Sequence, residues 1–255
     1  MFGLRNTRGS CWVNAALQSI FRIPDVQSRL SSEEEIDTSN ILERCLQEIW
    51  CTKGEEGLKD LYASVRTSYM PAGEGIGDSH ELIQHFCDRI PFLDKLFRFK
   101  VGHRVECSHC KDVIMKQDSL NEFIVNPTQK GQSVISAIVE ATHPVSISDW
   151  TCEKCGKKGC TKQFLMAEFP QILMFHMTST QGSIQYTPIV VVNNIKYALI
   201  SIVCFTGGHW MTYGRNMPPG SPWYSLDDMN VSSYDPKQYP LTDSMRLLMY
   251  YRLNE

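Results

Sequence analysis

TRGSCWVNAALQ, residues 7–18, places a cysteine in the first turn of a helix that its own spacing predicts. Ser10 is a residue type that caps helices. Val13, Ala16, Leu17, Ile20 and Phe21 then recur on one helical face until Pro24 stops the pattern. A thiol is a strong nucleophile only as thiolate, and a helix N-terminus, a nearby imidazolium and partial exposure all favour that form. Against this stands the inert alternative, because cysteine is among the most buried residue types. The choice depends on whether the rest of the chain supplies a base, an acid and an oxyanion donor.

The 255 residues are 42% hydrophobic and 21% charged, enough to bury a core as one large domain or two small lobes. A net charge of −3 lacks the basic footprint of a nucleic-acid or anionic-membrane binder, so neither partner is expected. No apolar run reaches bilayer length and no basic-then-apolar signal opens the chain, so no membrane insertion is expected. Four of the ten cysteines form two Cys-x-x-Cys pairs and the others are scattered singly, which suits a reducing compartment, cytosol or nucleus.

Helical spacing dominates the first hundred residues, in NILERCLQEIW, in LKDLYASVRTSY up to Met70-Pro71, and in EGIGDSHELIQHFCDRI, where Asp78 is a cap with Glu81 three residues on. SSEEE at 31–35 is expected to be a solvated helix entrance. Strand patterns follow in FRFKVGHRVEC, DVIMKQD, KQFLMAEF, ILMFHM and SIQYTPIVVV, with QSVISAIVEA as a helix among them. KYALISIVCF and RLLMYYRL are apolar runs of strand length, expected at the centre of a sheet. A helical front and a strand-rich back predict an α+β fold.

GSCW also surrounds the reactive cysteine of papain-like proteases, but their oxyanion glutamine, six residues before the cysteine, is Arg5 here. One residue later stands Asn6, within G-L-R-N-T-R-G-S-C-W-V-N-A-A-L-Q. That run resembles the cysteine box of the ubiquitin-specific proteases, G-L-x-N-x-G-x-[ST]-C-[YFW]-x-N-[AS]-x-[LI]-Q. Gly3, Leu4, Asn6, Ser10, Cys11, Asn14, Ala15, Leu17 and Gln18 fit in place. The resemblance makes Cys11 the nucleophile and Asn6 the oxyanion donor; Arg8 departs from the family's glycine. TGGHWMTYGR resembles the histidine box, with Gly208, His209, Tyr213 and Arg215 in place and Trp210 for the usual tyrosine of an aromatic wall. Eighteen residues past His209, WYSLDDMNV resembles the acid box, so the resemblance implies Asp227 as the third triad member. Asp228 supports the oxyanion or the histidine, or only forms a turn. Leu248, Tyr250 and Arg252 match the family's last strand.

Cys107, Cys110, Cys152 and Cys155 lie in two Cys-x-x-Cys turns 41 residues apart, a pattern that completes a tetrahedral S4 zinc site. A redox role competes, although a thioredoxin-type motif uses one pair on a βα turn. Cys160 is a substitute ligand; His103 and His109 are weaker ones. The resemblance puts structural zinc at the tips of a β-rich fingers lobe that holds the globular part of ubiquitin.

GIGDSHELIQHFCD resembles the family's Q-Q-D-[AS]-x-E-[FL] box, with Ile76 and Gly77 replacing the glutamines. Asp78 and Glu81 are thereby implied to line the channel for the substrate tail. That tail ends Leu-Arg-Gly-Gly in ubiquitin and offers an arginine to carboxylates, which SUMO tails lack. Gly208 and Trp210 join them as implied substrate contacts.

The resemblance covers residues 3–252 and implies a single catalytic domain. Its parts are a helical thumb (about 1–96), zinc-bearing β fingers (about 97–176) and a β-rich palm (177–255), acting as a monomeric cysteine isopeptidase on ubiquitin or a ubiquitin-like modifier. The short segment from Met177 to Tyr197 leaves little room for channel-covering loops, and a start so near the cysteine box suits an excised domain or a minimal enzyme. Three rivals remain: a zinc-bearing ubiquitin-binding pseudoprotease, a protease for another ubiquitin-like modifier, and a papain-like peptidase without zinc.

Overall fold

The computed structural model describes residues 1–7, 9–32, 36–68, 77–125, 130–178, 183–235 and 244–253. Six helices come first: α1 (Cys11–Ile20), α2 (Pro24–Leu30), α3 (Ile41–Cys51), α4 (Leu58–Ser68), α5 (Ser79–Arg89) and α6 (Pro91–Phe97). Strands β1 (Phe99–Cys107), β2 (Val113–Leu120), β3 (Phe123–Val125) and β4 (Lys130–Ser133) lead to helix α7 (Val134–Thr142). β5 (Val145–Thr151), β6 (Lys158–Met166), β7 (Ile172–Met177), β8 (Ser183–Gln185) and β9 (Ile189–Val192) follow. The chain closes with β10 (Ile195–Thr206), β11 (His209–Gly214), β12 (Trp223–Asp227), β13 (Asn230–Tyr234) and β14 (Met245–Arg252). Among the described residues, no helix is long and apolar enough to cross a membrane.

The main sheet runs β13-β12-β11-β10-β14-β7-β3, with β9 also paired to β10. The two apolar runs expected at its centre are β10 and β14, and they are buried on both faces. Ile200 and Val203 of β10, with Leu247 and Met249 of β14, join the cluster that the helices cover. Tyr197, Leu199 and Ile202, with Leu248 and Tyr250, join a second cluster beneath α7. Burial on two faces is why these strands read as continuous apolar runs instead of alternating.

A second, antiparallel sheet of order β2-β1-β6-β5 projects from this body. Phe99 and Val101 root it in the second cluster, whereas β2 and β5 are exposed or half-buried along their length. Its far end has almost no apolar core, and there the two Cys-x-x-Cys turns meet.

One expected helix start differs. Ser10 stands at the N-cap position of α1, but its side chain makes no capping bond. Its hydroxyl accepts instead from the Thr7 N–H at 3.0 Å. Ser31 follows the end of α2 and the cap of α3 is Asn40; the expected helix entrance at SSEEE falls on Glu33, Glu34 and Glu35, which lie outside the described residues. Met70, Pro71, Ile76 and Arg8 lie outside them as well.

Candidate active site

Helix α1 lies across β10, β11 and β12. The buried Thr212 hydroxyl of β11 anchors it by donating to the Ala15 carbonyl at 2.8 Å. Cys11 is the first residue of α1, and with Ser10 engaged elsewhere the first-turn N–H groups carry no side-chain cap. Such N–H groups have no partner within a helix, so they are donors aimed at whatever anion forms at the sulfur.

His209 opens β11 directly after a two-residue turn, Gly207-Gly208, with φ of 59° and 86°. Left-handed backbone at both central positions is the geometry that matches hairpin twist, and it demands glycine. A Cβ on Gly208 would meet nothing within 4 Å, so this glycine is explained by its backbone. His209 Nε2 lies 2.6 Å from Asp227 Oδ1, each side chain about two-fifths exposed (41% and 39%). With Nε2 held by the carboxylate, Nδ1 is the nitrogen left for a thiol.

Asp228 occupies the β12–β13 turn at φ 52°, a conformation aspartate tolerates better than most residues. Its carboxylate accepts from Asn6 Nδ2 at 2.8 Å through Oδ2 and from Asn14 Nδ2 at 2.7 Å through Oδ1. Asn14 also donates to the Leu4 carbonyl, and the Leu4 N–H donates to the Asp228 carbonyl at 2.8 Å. Gly3 is required here, because a Cβ would sit 2.5 Å from the Met229 carbonyl oxygen. Asn6 Oδ1 accepts from the Ser10 N–H at 3.0 Å. The asparagine is therefore gripped at both ends beside the start of α1.

Trp210 points to the opposite face of β11 from His209. It is 4% exposed and packed on Phe205 at 4.8 Å, a core residue and not an open aromatic wall. Trp12 is fully buried, and Gly77 lies flat on its indole, where a Cβ would approach the ring to 2.8 Å. That contact is a physical reason for glycine where the family box has glutamine. Asp78 caps α5, accepting from the His80 N–H at 2.7 Å, and Ser79 ties the same turn to the Trp12 carbonyl at 2.8 Å. Glu81 is exposed in the first turn of α5. Arg215 donates to the Leu199 carbonyl at 2.7 Å and stacks over Trp223, which fixes β11 against its neighbours.

Sequence reasoning missed a cluster that begins on α5, at His80. His80 Nε2 lies 2.5 Å from Glu122 Oε2, and the His176 ring stacks on His80 with centroids 3.6 Å apart. Burial pushes Glu122 up, but the imidazoles of His176 and His80 outweigh it and bring the carboxyl down to about 2. His80 Nε2 is at hydrogen-bond distance from that carboxylate, and His176 Nδ1 lies 3.5 Å from the same Glu122 oxygen. The ligand atoms of the trio lie within 4.8 Å of one another. Its residues come from three separate elements, and only His80 lay in a recognisable motif.

At the far end of the second sheet the four cysteines converge. Their sulfurs all lie within 4.8 Å of one another, with Cys107–Cys155 and Cys110–Cys152 each at 3.7 Å. Tetrahedral Zn–S bonds of ~2.3 Å require sulfurs ~3.8 Å apart, whereas a disulfide requires ~2.0 Å. The donor set fits zinc. Lys111 and Gly156, each directly after the second cysteine of a pair, adopt the same left-handed backbone, φ 62° and 67°. N–H groups of Cys110 and His109 draw the Cys107 thiol down to about 6. Cys160 pairs with Cys107 across β1 and β6 but stands outside the four-sulfur group, as do His103 and His109.

A profile of the ubiquitin carboxyl-terminal hydrolase family matches residues 2–250. Ubiquitin carboxyl-terminal hydrolase 37 of Canis lupus familiaris is 22% identical over 153 residues, and the Homo sapiens protein of that name is 21% identical. These matches take in 58% of this chain and 15% of each relative, so the chain spans a small part of their length. Among solved structures, the SAGA deubiquitinating module of Ubp8 with Sgf11, Sus1 and Sgf73, bound to monoubiquitin, aligns over the whole chain and 69% of its counterpart. That alignment has a TM-score of 0.83 at 17% identity. The same module bound to ubiquitin aldehyde gives 0.82 at 16% identity over 70% of that chain. The folds are shared.

Proposed function

The chain belongs to the ubiquitin carboxyl-terminal hydrolase family, and from that premise we propose that it is a thiol-dependent deubiquitinase cleaving after the C-terminal Gly-Gly of ubiquitin. The observation that carries this reading is the 2.6 Å His209–Asp227 contact on the strand that packs against the helix bearing Cys11.

His209, held through Nε2 by Asp227, takes the Cys11 proton at Nδ1. The thiolate attacks the carbonyl of the modifier's terminal glycine. Asn6 Nδ2, which keeps a second N–H beyond its bond to Asp228, and the first-turn N–H groups of α1 receive the oxyanion. His209 returns the proton to the departing lysine amine. Water, deprotonated by His209, then cleaves the thioester and restores Cys11. Asp228 acts through Asn6 and is a positioning residue.

Cys107, Cys110, Cys152 and Cys155 would hold zinc, which supplies a cross-link between two hairpin ends that bury little apolar surface. Asp78 and Glu81 bind the arginine of the substrate tail, and the second sheet supports the globular part of ubiquitin. The enzyme works as a monomer, and its ten free cysteines support a reducing compartment, cytosol or nucleus.

Steady-state hydrolysis of a fluorogenic C-terminal amide of ubiquitin, with the SUMO equivalent alongside, tests the proposal. Turnover of ubiquitin only is expected. Binding of ubiquitin without turnover by the folded protein would make it a pseudoprotease.

A further inference from the structure

Arg22 follows the C-terminus of α1 and is 1% exposed. The fold makes room for it: a Cβ on Gly214 would strike Arg22 Cγ at 2.9 Å. Its Nε donates to the Gln18 carbonyl, which satisfies the helix end. Its Nη1 donates to Asn216 Oδ1 at 3.0 Å, an oxygen that also accepts from Gln27 Nε2 at 3.2 Å. The remaining acceptor on Nη1 is the Met1 thioether, a weak one. Among the described residues no carboxylate pairs with Arg22, and burial alone lowers it to about 10. A buried guanidinium met only by neutral acceptors is an uncompensated charge.

Beside it opens a cavity of about 280 Å³ lined by Met1, Phe2, Arg22, Trp50, Lys53 and Asn216. Its lining side chains include two cations, Arg22 and Lys53, and no acid. Lys53 stands at the rim, exposed, with its ammonium over the Trp50 ring at 4.6 Å and the Phe2 ring at 5.4 Å. Phe2, Phe21 and Trp50 form an aromatic group at 5.5–6.0 Å around this space.

We propose that this cavity binds a compact oxyanion, carboxylate or phosphate, carried on a short aromatic or apolar body. Arg22 pairs with the anion in the buried half, Lys53 closes over it at the rim, and Phe2 and Trp50 face its body. The volume sits just below the range of small-molecule sites and admits a group of that size and little more. Arg22 stands eleven residues after Cys11, about 16 Å along the helix direction, so the cavity is separate from the reacting sulfur.

The test titrates the folded chain with phenyl phosphate, benzoate and inorganic phosphate, using sodium chloride at matched ionic strength as reference. Melting temperature and the Arg22 Nε–H resonance are followed. A saturable rise in melting temperature and a saturable Arg22 shift are expected with phenyl phosphate or benzoate. Affinity should fall about tenfold in Lys53→Met, which keeps the rim packing, and binding should vanish in Arg22→Met. The phosphate and benzoate arms tell which oxyanion the site prefers. Equal behaviour in chloride, an unmoved Arg22 resonance, or undiminished affinity in Lys53→Met would overturn the proposal, whether or not Arg22→Met folds.

Discussion

Asp228→Asn probes how the oxyanion donor is held. The wild-type carboxylate accepts from two amides at once, Asn6 at 2.8 Å and Asn14 at 2.7 Å. Asparagine keeps the shape and tolerates φ 52°, so the turn survives. It offers one acceptor oxygen, however, and sets its own NH2 against the other donor. Losing a charge-assisted hydrogen bond costs ~1.5–3 kcal/mol. Asn14 retains the Leu4 carbonyl as an acceptor, so Asn6 is the side chain released. The stability loss should be ~1–2 kcal/mol, because the Asn6 end of the network is exposed and water replaces part of the bond. The catalytic loss should be larger. Removing one oxyanion donor typically costs about 10²–10³ in kcat, and a mispositioned Asn6 should approach the lower figure with KM little changed. Steady-state hydrolysis of a ubiquitin C-terminal fluorogenic amide, with urea denaturation in parallel, measures both effects. If Asp228 acts through Asn6, adding Asp228→Asn to Asn6→Ala should cost little more than Asn6→Ala alone. Fully additive losses, or wild-type kcat in Asp228→Asn, would refute the reasoning.

Other consequences follow from the same geometry. Cys107→Ser should lower bound zinc from one per chain toward none and unfold the four-stranded sheet before the triad is affected. Elemental analysis with hydrogen exchange reports this, and a metal-free wild-type chain with that sheet still protected would contradict it. Asp78→Asn keeps a capping side chain on α5 but removes its charge. A double-mutant cycle with the ubiquitin tail arginine should give a coupling of ~2 kcal/mol, the low end for charge pairs because Asp78 is half-buried, and none if the residue only caps its helix. Glu122 titrates near 2 in the folded chain against 4.5 for an unperturbed carboxyl, so it binds its proton less readily when folded. Its contribution, about 3 kcal/mol at most, is fully present above pH 4.5 and lost as pH falls through 2. Glu122→Gln should destabilise the neutral protein and flatten that part of the acid-unfolding curve; an unchanged curve would count against the cluster.

Much of this was legible in the sequence wherever chemistry is packed into contiguous runs. Cys11, His209 and Asp227 each sit in a dense box, and the two cysteine pairs announce themselves by spacing. β10 and β14 were recognisable as central strands because burial on both faces leaves no polar alternation. What stayed hidden depends on contacts between distant segments. The His80–Glu122–His176 stack joins a helix, a loop and a strand that no local pattern links. Ser10 has the composition of a cap, but Asn6 and Thr7 engage it first. Trp210 has the composition of an aromatic wall, yet strand alternation turns it into the core behind His209. Gly77 looks like a lost glutamine until the Trp12 indole is seen to lie against it.

The central claim is that Cys11 is the nucleophile for a ubiquitin C-terminus. The folded chain is treated with ubiquitin bearing a C-terminal electrophile, and the adduct is located by intact-mass analysis followed by peptide mapping. One ubiquitin per chain, attached at Cys11 and lost in Cys11→Ala, is the expected result. Attachment at the exposed Cys51, or no adduct on the folded chain, would contradict the account.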